Sequence, residues 1–171
     1  MNRPIVNIND IELQPRPAAF SPSAEAAQRF DARIGQIAPL IGARQLGYNI
    51  TVVPPGKRAF PLHNHQVNEE MFFILEGRGE LRFGKETYPV RPGDLIACPP
   101  GGPDVAHQII NTGEGEMRYL AVSTKLSPEV AEYPDSGKFG LLAELADGKG
   151  GSRTFYHIGR EGEGLDYWEG E

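Results

Sequence analysis

An all-β barrel or sandwich, preceded by a short helix, is the fold this sequence predicts. Two observations carry that expectation. Between Gln45 and Thr124 seven short runs alternate or are rich in β-branched and aromatic residues: QLGYNITVVP, MFFILEG, GELRFG, ETYPV, DLIACP, VAHQIIN and MRYLAVST. Each is bounded by Gly, Pro, Asn or Asp, as strands joined by tight turns require. The 21 glycines and 15 prolines among 171 residues supply those turns, and the length suits one domain.

Residues 1–44 read as an N-terminal arm and a short helix. The first 20 are proline-rich and are expected to lie on the surface or on a partner subunit. In SPSAEAAQRFDARIGQIAPLIGA a cap candidate at Ser21 or Ser23 precedes alanines and spaced apolar residues, which predicts one helix ending near Pro39. Residues 45–125 form the barrel core, closing strand edges that would otherwise stay exposed. Within it, EGRGE at Glu76–Glu80 and PGD at Pro92–Asp94 read as hairpin turns. EGRGEL has neither the lysine of a phosphate loop nor a helix to open. Residues 126–171 are expected to be an irregular, polar extension packed on the barrel, with RTFYHIG its one strand candidate.

A net charge of −6 argues against nucleic acid or an anionic membrane as the main partner. No apolar stretch approaches a membrane span, and MNRPIVNINDIELQP lacks the apolar core of a signal peptide, so a cytoplasmic location is expected. Cys98 is the sole cysteine, which excludes an intrachain disulfide and a cysteine-based zinc cluster. At the end of a strand, in LIACPPGG, it reads as a buried, inert thiol.

The chemistry concentrates in PLHNHQVNEEMFFILEG. His63 and His65 stand two apart on an extended segment, so both imidazoles leave the same face. After a polar turn, Glu70 opens a compact apolar strand, with the adjacent Glu69 as its rival. His107 lies on a third extended segment. Three neutral imidazoles and a carboxylate suit one divalent transition metal ion, such as Mn, Fe, Zn, Ni, Co or Cu, and argue against an oxygen-only Ca or Mg cage. Each residue alone would read as an ordinary polar or solvated side chain; their joint occurrence points to a site. The fourth histidine, His157, reads as structural or solvated.

These residues resemble the two motifs of the cupins. Gly56, His63, His65, Glu70 and Gly77 match the first, with one extra residue between Gly56 and His63, and the spacing to Gly77 favours Glu70 over Glu69. Gly93, Pro99, Gly101, His107 and Asn111 match the second, with three extra residues between Gly101 and His107. The 15 residues between Gly77 and Gly93 are similar to the spacing of small single-domain microbial cupins. That resemblance implies a double-stranded β-helix, or jelly-roll barrel, with His63, His65, Glu70 and His107 as metal ligands. HQIIN, YLAVST, YPDSGK and DYWEGE resemble a bacterial group some of whose relatives carry a sugar-phosphate isomerase label.

Because this fold hosts isomerases, dioxygenases, decarboxylases, lyases and pure binders, the resemblance leaves the reaction open. The expectation taken forward is a metal-dependent enzyme acting on a small oxygen-rich metabolite, in its most concrete form an aldose–ketose isomerase. Arg44, Lys57, Arg58 and Arg118 are candidates to hold a phosphate, and Tyr48, Tyr119 and Glu69 to move a proton. The alternatives are an iron-dependent dioxygenase, with Phe60, Phe72, Ile74 and Ile109 lining an apolar pocket, and a non-catalytic ligand-binding barrel. No DNA-binding helix-turn-helix is evident upstream of the barrel. A homodimer is expected on general grounds, with the proline-rich arm or Tyr167 and Trp168 available to pack across its interface; the same tail could instead cover its own barrel mouth.

Overall fold

The computed structural model describes residues 3–171. Its strands are β1 (Gln14–Pro15), β2 (Arg33–Gln36), β3 (Leu46–Val53), β4 (Asn64–His65), β5 (Glu70–Glu76), β6 (Gly79–Phe83), β7 (Glu86–Val90), β8 (Leu95–Cys98), β9 (His107–Ile110), β10 (Met117–Thr124), β11 (Glu129–Tyr133), β12 (Lys138–Ala146) and β13 (Ser152–Gly159). The helix α1 spans Ala38–Ile41. Among the described residues no helix is long and apolar enough to cross a membrane.

One wall of the jelly roll is a six-stranded sheet ordered β1-β2-β3-β10-β5-β8. The other is made of β7-β6-β9 and β4-β11-β12-β13, joined where His63 and His107 form an antiparallel bridge. Strand alternation assigns every side chain of the first wall to one face or the other. Val53, Phe72, Ile74, Met117, Tyr119 and Ala121 point inward and meet Leu81, Val90 and Ile109 of the opposite wall. Ile50 and Val52 point outward, where Ile11 and Ile37 bury them, flanked by Val6, Ile8 and Leu13. The arm therefore lies on its own barrel.

All seven runs from Gln45 to Thr124 are strands, and the two expected turns are present. At Gly77 the φ of +82° already disfavours other residues, and a Cβ there would stand 2.7 Å from the Glu116 carbonyl and 2.8 Å from Met117 Cα. Asn111 ties the second motif down: it is fully buried, donates to the carbonyls of Val53 and Gly115 at 2.8 Å each, and accepts from Gly113 N at 3.0 Å.

Two expectations fail. One short helix is present, but it is α1 and not a helix that runs from Ser21 or Ser23 to end near Pro39. Ser23 Oγ accepts from Ala26 N at 3.3 Å beside a single 3-10 turn, Ala26–Gln28, and the chain then extends so that β2 pairs with β3, Arg33 opposite Val52 through Gln36 opposite Asn49. Pairing covers an edge of β3 that a helix would leave open. Pro39 opens α1 instead of ending a helix, since its missing N–H costs nothing in a first turn, and Gly42 at φ +73° closes it. The C-terminal extension is regular as well: β11, β12 and β13 form a meander, with Ala131 opposite His65 on β4. Its outer strands are half exposed and lack clean alternation, which hides them in the sequence.

Replacing Asn111 with Ala strands the buried Val53 carbonyl and releases the Gly115 carbonyl and the Gly113 N–H, and is expected to cost about 2 kcal/mol, read as a lower urea midpoint.

Candidate metal centre

Each of the four residues arrives by strand geometry. On β5 the inward face runs Glu70, Phe72, Ile74, so Glu69 falls on the opposite parity; it is exposed and lines no cavity beside Glu70. His63 exchanges backbone hydrogen bonds with His107 at 3.2 and 2.8 Å, which brings β9 alongside the HNH segment. Asn64, pointing the other way from its two histidine neighbours, donates to the Gly101 carbonyl and the Glu132 carboxylate at 2.7 Å each.

The Nε2 atoms of His107, His65 and His63 stand 3.0, 3.4 and 3.7 Å from one Glu70 oxygen, and all four donor atoms lie within 4.8 Å of one another. Nδ1 of His63 lies 2.9 Å from the Pro61 carbonyl and that of His107 lies 3.3 Å from Val105 O. A carbonyl only accepts, so these nitrogens carry the protons and leave the Nε2 lone pairs facing inward. His65 Nε2 is buried without a hydrogen-bond partner. Donors about 2.1 Å from a common ion at near-tetrahedral or octahedral angles sit about 3.0–3.4 Å apart, and this set comes close to that spacing. The donor set fits a transition metal ion.

Burial opposes charge on Glu70, yet contacts with His107, His63 and His65 outweigh it and hold the carboxyl well below its ordinary value. Burial likewise lowers His63, whereas for His65 the carboxylates of Glu70 and Glu129 overcome burial and raise it. Glu129, on β11, accepts from the backbone of Gln66, Val67 and Asn68 at 3.1, 3.2 and 2.7 Å, also takes the Asn68 amide, and stands 3.6 Å from His65 Nδ1. It thereby braces the turn between His65 and Glu70.

Two cavities share Asn49, His65 and Glu70. One, of about 250 Å³, is walled by Phe60, Phe72, Ala121 and Tyr133 and also reaches His63. The other, of about 340 Å³, is more polar and includes Tyr48, Ser123, Lys125 and Glu129. Tyr133 lies 6.3 Å from His63, ring to ring and nearly parallel. Burial and the neighbouring Tyr156 push its phenol up to about 12.

The remaining candidates sort by parity. Arg44, Lys57, Arg58 and Arg118 line neither cavity. Arg118 sits on the outer face of β10 and donates to the Ile8 carbonyl at 2.7 Å, while Lys57 is bound by the carbonyls of Ala27 and Gln28. Tyr119 is buried in the core, edge-on to Phe72 at 5.7 Å; of the three proton-transfer candidates only Tyr48 reaches a cavity beside the cluster. Phe60 and Phe72 line the first cavity, whereas Ile74 and Ile109 are core. His157 packs on Phe139, and Tyr167 and Trp168 are exposed at 83% and 70%, covering neither cavity. Sequence reasoning missed Asn49, Glu129 and Tyr133. The parity of NITVV was the available signal for Asn49, and YPDSGK for Tyr133; nothing local marked Glu129.

Residues 49–123 match the cupin domain family. That stretch is similar to a cupin domain and contains all four residues of the His/Glu cluster. An uncharacterised protein of Methanocaldococcus jannaschii is 39% identical over 72 residues, 42% of this chain and 54% of that protein. The oxalate-binding protein of Thermotoga maritima is 33% identical over 70 residues, 41% of this chain and 54% of its own length. The match thus spans about half the length of these curated relatives. Among solved structures, a cupin-superfamily protein of Silicibacter pomeroyi named a sugar phosphate isomerase superposes with a TM-score of 0.74 at 24% identity, covering 96% of this chain and 98% of that one. That likeness shows the fold.

Cys98 stands opposite Glu70 in the β5–β8 pairing, where burial and then the Glu70 charge push its thiol up to about 12. At pH 8 the folded protein is expected to resist iodoacetamide, taking up one equivalent only after unfolding in guanidinium, as mass spectrometry would show.

Proposed function

We propose that this cupin is a metal-dependent enzyme acting on a small oxygen-rich metabolite, with aldose–ketose isomerisation of a sugar or sugar phosphate as its concrete form. The convergence of three imidazoles on Glu70, at the junction of an apolar and a polar cavity, carries the reading. The name given to the Silicibacter pomeroyi protein supports the substrate class. A divalent ion held by His63, His65, Glu70 and His107 would supply Lewis-acid polarisation of a substrate oxygen.

The chain's own groups define the rest. Phe60 and Phe72 give the first cavity an apolar wall, beside which polar contacts to a bound substrate are strengthened. Tyr133 stays protonated near neutral pH, so it donates a hydrogen bond to a bound oxygen and does not act as a base. Asn49, on the inner face of β3, offers both a donor and an acceptor to a hydroxyl.

Elemental analysis of untagged protein is expected to find about one equivalent of a transition metal, lost in the His63→Ala, His107→Ala double variant. Glu129→Gln is expected to weaken metal binding by roughly 10–100-fold in competition with a chromophoric chelator, because it loosens His65. The reaction is tested by proton NMR in D2O with a panel of aldoses, ketoses and their phosphates. Metal-dependent isomerisation or deuterium uptake next to the carbonyl, lowered roughly 100-fold or more in Tyr133→Phe, is the expected result. Loaded protein that exchanges no substrate proton overturns the isomerase reading; oxygen uptake by the iron form would then mark a dioxygenase, and saturable binding without turnover a binding barrel.

A further inference from the structure

A third cavity, of about 400 Å³, lies apart from the His/Glu cluster and shares only Pro61 with the first cavity. All three parts of the chain build it: Arg16, Phe20, Arg29 and Phe30 from the arm, Arg58 from the barrel, and Asp135 and Lys138 from the β11–β12 hairpin. It therefore gathers four cations in a protein whose net charge is −6.

Counter-charge is scarce in it. Asp135, its one lining carboxylate, is held by Arg82 through two contacts of 2.9 and 3.1 Å. Arg16 is spent on the Ala59 carbonyl and on the Phe60 ring, 4.3 Å from its guanidinium, with Asp31 within electrostatic reach. Arg29 and Arg58 flank the Phe30 ring at 5.6 and 5.8 Å and make no side-chain hydrogen bond or ion pair among the described residues. Nε of Arg58 is buried and unpartnered. Burial, and then the charges of Arg29 and Arg82, lower the Arg58 pKa and outweigh the opposing pull of Asp135, whose carboxylate is already engaged by Arg82. Leaving a buried guanidinium N–H unpaired is unfavourable, so the structure is arranged for a group that accepts hydrogen bonds and carries negative charge.

We propose that this cavity is a second ligand site, one that takes a small molecule bearing a phosphate or carboxylate on Arg29, Arg58 and Lys138. Its volume falls in the range of small-molecule sites, roughly 300–1,000 Å³, which leaves room for a carbon skeleton against Phe20 and Phe30. Nothing in this assignment depends on the isomerase reading or on a bound metal.

Isothermal titration of the full chain with inorganic phosphate, and separately with malonate, tests it, before and after dialysis against a chelator. Saturable binding is expected in both states and in the His63→Ala, His107→Ala variant, with the tighter probe telling phosphate esters from carboxylates. Arg58→Gln and Arg29→Gln are each expected to weaken it about tenfold, as loss of a charge-assisted hydrogen bond does. Arg29 is exposed, so its variant keeps the test valid even if Arg58→Gln fails to fold. Arg44→Gln, a change of equal charge outside the cavity, is expected to leave the affinity unaltered. No saturable binding of either probe, undiminished affinity in Arg29→Gln, or binding lost only with the metal ligands overturns the proposal.

Discussion

The reciprocal backbone pairing of His63 with His107 is the constraint on which the rest of this structure turns. Two hydrogen bonds, 3.2 and 2.8 Å long, join the β7-β6-β9 sheet to the β4-β11-β12-β13 sheet and so complete the second wall of the barrel. The same pairing sets two imidazoles of the His/Glu cluster side by side, with ring centroids 4.6 Å apart. Fold and site are thus closed by one contact, and a shift of register there would dismantle both.

Glu70 completes the arrangement from the opposite wall. Its carboxylate sits at the end of a hydrophobic inner face, where burial alone would favour the neutral acid; three imidazoles at 3.0–3.7 Å reverse that preference. The cost of placing a charge in the barrel is offset by groups that share one focus. The C-terminal meander supports this from outside, because Glu129 holds the turn that carries the chain from His65 to Glu70, and Ala131 pairs with His65 itself.

The arm has a comparable double role. By covering Ile50 and Val52 it turns the outer face of the six-stranded sheet into a second core, and by running back past Arg58 it brings Arg16 and Arg29 beside the hairpin that bears Lys138. Dense positive charge within an acidic protein arises from that path and not from any basic run in the sequence.

Periodicity by itself marked the barrel strands and set His63 and His65 on one face, while the resemblance to the cupin motifs singled out Glu70 and His107. Side chains alternate along an extended chain, so His63 and His65 had to share a face; the structure adds that Glu70, and not Glu69, has the parity of Phe72 and Ile74. The same rule, once β10 was placed, put Arg118 outside and Tyr119 within. Only the tertiary structure decided the rest. Residues 33–36 became a strand because β3 had an edge to pair, overriding the local helical pattern. Glu129 and Tyr133 reached the site, and Arg16, Arg29, Arg58 and Lys138 met one another, through contacts between segments distant in the chain. Local sequence carries the period of an element but not the identity of the neighbour it will pack against, and long-range pairing chose those neighbours.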